Sequence, residues 1–109
     1  MSYKIAVGNI IQVPVKFTLR DGSADKQFSF SLTATRRTQE EIEATPEKSV
    51  LEFLLDNVSD WSGQRLVLED NNEPAAYSRE AFEFMLKQPG LLGIVWAAYQ
   101  RQSGSKEKN

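Results

Sequence analysis

The sequence predicts a single α+β domain in which an N-terminal antiparallel β-hairpin packs against three to four helices. Two segments of strict period-two alternation flank a turn-rich pentapeptide and predict the hairpin; three later apolar stretches at helical spacing, each opened by a cap or a proline, predict the helical layer. With 109 residues, 40% of them hydrophobic, the chain can bury one core and is too short for two. The domain is expected over residues 1–102, with the hairpin over about 11–36 and helices over about 46–60, 79–88 and 90–102. The small, polar stretch 103–109 is expected as a disordered tail.

Taking the elements in order, Val13, Val15, Phe17 and Leu19 alternate with Pro14, Lys16, Thr18 and Arg20, which gives a half-buried strand. Pro14 has no N–H for a ladder and points to an edge position. After Asp21-Gly22-Ser23-Ala24-Asp25 the alternation returns in Phe28, Phe30 and Leu32. A two-stranded sheet is marginal in water, so its apolar face needs a helical cover. Thr38-Gln39-Glu40-Glu41 has the spacing of a capping box and predicts a short helix that stops before Pro46. Thr45-Pro46 reads as N-cap and first residue of the next helix, in which Val50, Leu51, Leu54, Leu55 and Val58 form one stripe. Gln64–Glu69 alternates and is the candidate for a third short strand.

Further along, Ser78 is a suitable N-cap, with Tyr77 and Phe82 at the two positions of a hydrophobic staple. Gln88-Pro89-Gly90 breaks that helix, and Pro89 is expected in the first turn of the last one. From Leu91 to Arg101 the apolar residues cover more than half the circumference, so the helix is either central or part of an interface.

Composition narrows the chemistry. There is no Cys and no His, so thiolate nucleophiles, cysteine metal sites and the commonest general base are missing; carboxylates alone could still hold Mg²⁺ or move protons. Net charge is −2, with residues 1–37 carrying +4, residues 38–73 carrying −8 and residues 74–109 carrying +2. The acidic middle third repels phosphates and argues against a nucleic-acid partner. No signal-like or membrane-spanning run is present, so the expected location is the cytoplasm. Glu69, Asp70 and Glu73 around Asn71-Asn72 offer oxygen ligands but lack the spacing of a calcium loop, and an acidic solvated turn is the better reading.

The stretch from Asp60 to Arg101 carries a more specific signal. The order Asp60-Trp61-Ser62-Gly63, Glu69-Asp70-Asn71-Asn72-Glu73-Pro74, Tyr77-Ser78-Arg79-Glu80, Met85-Leu86, Gln88-Pro89-Gly90-Leu91 and Ala97-Ala98-Tyr99 resembles the tail assembly chaperones of long-tailed bacteriophages. Arg20-Asp21-Gly22 and Arg36-Arg37-Thr38-Gln39-Glu40-Glu41 extend the likeness upstream. The resemblance implies a non-enzymatic protein without cofactors that binds the tape-measure protein during tail assembly in the bacterial cytoplasm. Tail-tube subunits are further candidate partners, as is a longer form of the chain made by ribosomal frameshifting. Glu107-Lys108-Asn109 can be encoded GAA-AAA-AAC, which contains a slippery run.

No client-contact residues come with the resemblance, so candidates are chosen by helical phase. Phe53 and Phe84 lie about 140° from the centre of their own helices' apolar stripes, and Trp96 and Tyr99 accompany them on the last helix. Trp61 and Gly63, with Tyr77, Ser78, Phe82, Pro89 and Gly90, are expected to be structural, Trp61 plugging one end of the core while its indole N–H finds a carbonyl. Self-association is a further expectation from the apolar last helix. Two other classes compete: a structural tail or head–tail component, and a carboxylate-based metal enzyme using Glu69, Asp70 and Glu73.

Overall fold

Strands β1 (Ile10–Asp21) and β2 (Ala24–Thr35) pair antiparallel in unbroken register from Ile10↔Thr35 to Asp21↔Ala24. The two-residue loop between them needs a left-handed first position, which Gly22 supplies at φ 65°. One face of the hairpin carries Ile11, Val13, Val15, Phe17 and Leu19 opposite Ala34, Leu32, Phe30, Phe28 and Lys26. The other face is polar, as the alternation predicts. In the computed structural model, which describes residues 2–104, the chain is an α+β domain with a three-stranded antiparallel sheet in the order β1-β2-β3 and four α-helices. The expected tail falls largely on residues 105–109, outside the described residues, as does Glu107-Lys108-Asn109; Ser103 closes the last helix instead.

After the hairpin, Thr38 caps α1 (Gln39–Glu43) with the full reciprocal box. The Glu41 N–H donates to the Thr38 hydroxyl at 3.1 Å, and the Thr38 N–H donates to the Glu41 carboxylate at 3.0 Å. Thr45 does not start the next helix. Its hydroxyl donates to the Glu41 carbonyl at 2.9 Å, tying off α1, and Pro46 leads into a single 3₁₀ turn, Glu47–Ser49, that runs on into α2 (Val50–Asn57).

Two expectations are corrected at this point. The helix expected over 46–60 stops at Asn57, and the third strand, β3, is Val58–Ser62 rather than Gln64–Glu69. β3 pairs antiparallel with β2 through Leu32↔Trp61, Thr33↔Asp60 and Ala34↔Val58, so Ser59 is an extra residue in a bulge. The bulge puts Val58 and Trp61, three residues apart, on the same buried face. The segment Gln64–Glu69 is a loop held by one isolated bridge, Leu68↔Pro74, and by the Ala75 N–H donating to the Val67 carbonyl.

The expected N-cap Ser78 opens α3 (Arg79–Leu86), accepting from the Ala81 N–H at 3.0 Å, and the Tyr77 and Phe82 rings of the staple lie 5.9 Å apart. Pro89 precedes α4 (Leu91–Ser103) rather than entering it. Gln88–Leu91 is a turn closed by the Leu91 N–H on the Gln88 carbonyl, with Pro89 second and Gly90 third at φ 81°, ψ −16°, the angles of a type II turn. Its proline therefore sets the angle between two helices instead of starting one.

The core lies between the inner face of the sheet and the helices. Val13, Val15, Leu32 and Ala34 meet Leu54, Phe82, Met85, Leu91, Val95 and Tyr99, all essentially inaccessible to water. α4 packs across β1 and also touches α2 and α3, which accounts for its nearly all-round apolar surface: the helix is central. Among the described residues no helix is long and apolar enough to cross a membrane.

Two consequences are measurable. Gly90→Ala forces a side chain into the left-handed region without gaining a contact and should lower unfolding free energy by about 1–2 kcal/mol in urea titrations. The Glu41 carboxyl is held below its ordinary value by the Thr38 backbone N–H first and the Thr38 hydroxyl second. Its contribution is therefore complete above the ordinary carboxylate pKa and is lost as pH falls through the lowered folded value. Glu41→Gln should flatten that part of the acid limb of stability against pH, measured by thermal melts from neutral to acid conditions.

Candidate functional site

Apolar surface that the core does not use is the feature of this domain with the clearest functional content. Burial along the hairpin falls steadily outward: Val13, Val15 and Phe30 are buried, Phe17, Leu19 and Phe28 are half-buried. The strands are about 40 Å long at the usual rise per residue, and β3 accompanies β2 only from Ser31 to Ala34. The distal half of β2 thus has no strand on its outer edge among the described residues.

Gly63, at φ 78°, turns the chain away from the line of β3. The following loop stays close enough to leave a groove of about 590 Å³ between Lys26–Ser29 on one side and Gly63, Arg65, Leu66 and Leu68 on the other. Four consecutive β2 residues line it, so it runs along the strand's edge rather than over one face. Buried Gln64 fixes the loop: its amide N donates to the Val67 and Ala75 carbonyls, and its oxygen accepts from the Leu66 and Val67 N–H groups. Trp61 lies beside it, its indole N–H donating to the Ala75 carbonyl at 3.1 Å and its ring edge-on to Tyr77 and Phe82. The expected carbonyl partner is therefore found, with Trp61 itself on β3 rather than just past a helix.

The four residues selected by helical phase have different fates. Phe84 is 60% exposed in the middle of α3. Phe53 is half-buried, because the flank of α2 away from its stripe is covered by α4: its ring lies 5.3 Å from Trp96 and 5.5 Å from Tyr99, edge-on to both. Trp96 is half-buried and stacks on Tyr99 at 6.0 Å. Tyr99 is a core residue, 1% exposed, with its hydroxyl donating to the Thr35 carbonyl at 2.8 Å, so it presents no surface to a partner. Burial, the largest influence, pushes its phenol above the ordinary value. Phase around one helix could not reveal these covers, since it takes no account of where a second helix lands.

Other exposed apolar side chains were not selected. Tyr3, Ile5 and Val7 are 90%, 75% and 56% exposed, and Ile10 and Leu68 are also open to solvent. The period of two in Tyr3, Ile5 and Val7 was the available signal.

The acidic turn has the geometry of a loop. The Glu69 N–H donates to the Glu73 carbonyl, the Asn71 side chain accepts from the Glu73 N–H, and Asn72 sits at φ 67°. Among the described residues no three Asp or Glu side chains converge on a point that could hold a metal ion. Elsewhere carboxylates serve α3: Arg79 bridges to Glu52 and Asp56 at 3.1 Å each and donates to the Leu55 carbonyl, clamping α3 to α2.

Tyr99→Phe keeps the ring stack but leaves the Thr35 carbonyl without this donor. The expected cost is about 1–2 kcal/mol in chemical denaturation, with Phe84→Ser near neutral on the same assay.

No family model, curated protein or solved structure matches the chain.

Proposed function

We propose that this chain is a non-enzymatic assembly chaperone of a long-tailed phage, acting in the host cytoplasm on the tape-measure protein. The reading starts from the resemblance carried by Asp60–Arg101. The observation that supports it most directly is that the core closes without Phe84, which stands 60% exposed on a charged helix surface beside Glu80, Glu83 and Lys87. A client whose long helices wait for tube subunits needs temporary apolar contacts, offered by a domain too charged to precipitate with it. Phe84, with the half-buried ring faces of Phe53 and Trp96, provides such contacts. Tyr99 supports Trp96 from within and is not a contact itself.

Co-expression with the tape-measure-like protein encoded nearest to the gene should give a soluble complex that co-purifies. Phe84→Ser should lower client recovery at least severalfold while leaving the melting temperature of the free domain within a few degrees. An insoluble, unbound client would remove the chaperone reading for this chain alone, and full recovery with Phe84→Ser would remove that residue from the contact surface.

A further inference from the structure

The segment Ser2–Asn9 precedes β1 without joining a strand, and its apolar side chains, Tyr3, Ile5 and Val7, recur every second residue. All three are exposed, so in a lone copy the segment keeps water on a face built for burial. At the far end of the hairpin the reverse holds: a strand edge stands without a strand beside it. We propose that residues 3–7 of one copy add as an edge strand to the distal half of β2 in a second copy, occupying the groove that β3 vacates at Gly63.

Length, period and face all favour this occupant. Five residues span about 17 Å, within the roughly 23 Å of free β2 edge from Ala24 to Phe30. A strand added there continues the line of β3 and pairs antiparallel with β2, so its backbone finds the hydrogen bonds it lacks in isolation. Alternation then sends Tyr3, Ile5 and Val7 to the inner face, where half-buried Phe28 and Leu66 and the exposed Leu68 border the groove. Lys4 falls on the outer face, which at this part of β2 presents Asp25, Gln27 and Ser29. The competing edge, on β1, is guarded by Pro14, which has no N–H to donate, and by Lys16 and Arg20 pointing outward. The charges on the distal edge of β2, Asp25 and Lys26, are both paired within the hairpin, to Arg20 at 3.2 Å and to Asp21 at 2.8 Å.

A copy's own segment lies elsewhere. Lys4, Ile5 and Val7 line a shallow cleft with Arg36, Arg37 and Glu41, at the opposite end of the hairpin from the groove. The junction is therefore between copies, and because donor and acceptor surfaces differ, each copy has one of each.

The test uses the chain alone, independently of any client. Sedimentation velocity from micromolar to submillimolar concentration should show association of the wild type, while Ile5→Asp, which spoils the donor, and Leu68→Asp, which spoils the acceptor, should each remain monomeric. Both positions are exposed, and circular dichroism checks that both variants fold. Mixed one to one, the two should form a heterodimer, because the first keeps an intact groove and the second an intact donor. A wild type that stays monomeric throughout, an Ile5→Asp variant that associates like the wild type, or folded variants that form no complex on mixing would each overturn the proposal.

Discussion

Water must be kept from the inner face of the β1–β2 hairpin, and the other elements are placed by that need. Two strands cannot protect Val13, Val15, Phe30 and Leu32 by themselves. α4 supplies most of the cover by lying across β1, and the Tyr99 hydroxyl pins its later turns to the end of β2 through Thr35. α2 and α3 then complete the layer, held to each other by Arg79 across Glu52 and Asp56. Those exposed ion pairs contribute little energy individually. Their use is in orientation, since one guanidinium contacts two carboxylates and a carbonyl of the neighbouring helix.

Two polar residues, Gln64 and Asn57, are buried among the described residues, and both are hydrogen-bonded, whereas the buried Nε of Arg36 has no partner. Gln64 makes four hydrogen bonds and takes the place of a ladder in the loop after β3. Asn57, also buried, accepts from Arg37 and donates to the Phe53 carbonyl, joining the end of α2 to the segment before α1. Neither role can be read from a lone polar residue in a sequence, because each depends on backbone groups brought near only by the fold.

What the sequence made legible was local. The alternation of the two hairpin strands, the Thr38 box, the Ser78 cap and the Tyr77–Phe82 staple all follow from residues within a few positions of one another. β3 was missed for a definite reason: the bulge at Ser59 sets Val58 and Trp61 three apart on one face, a spacing that imitates a helix. The opposite error gave Gln64–Glu69 a strand's pattern, where Val67 faces inward and Leu66 only partly so. How far each candidate contact is exposed depends on tertiary placement, which helical phase does not carry. Phe53 and Tyr99 were covered by packing between helices, whereas Phe84, on the uncovered side of α3, stayed open as its phase suggested.

The long sequence separation between β1 and α4 also bears on synthesis. The hairpin can form as soon as residue 35 is free of the ribosome, because its ladder lies wholly within residues 10–35. Its inner face must then wait until Leu91–Ser103 has been made, and the Tyr99–Thr35 bond joins residues 64 apart. During that interval an apolar sheet with two open edges is exposed in a crowded cell, the condition under which nascent chains most readily associate wrongly. Pro14, which has no N–H to offer a ladder, protects the β1 edge of the nascent protein before it serves the finished one.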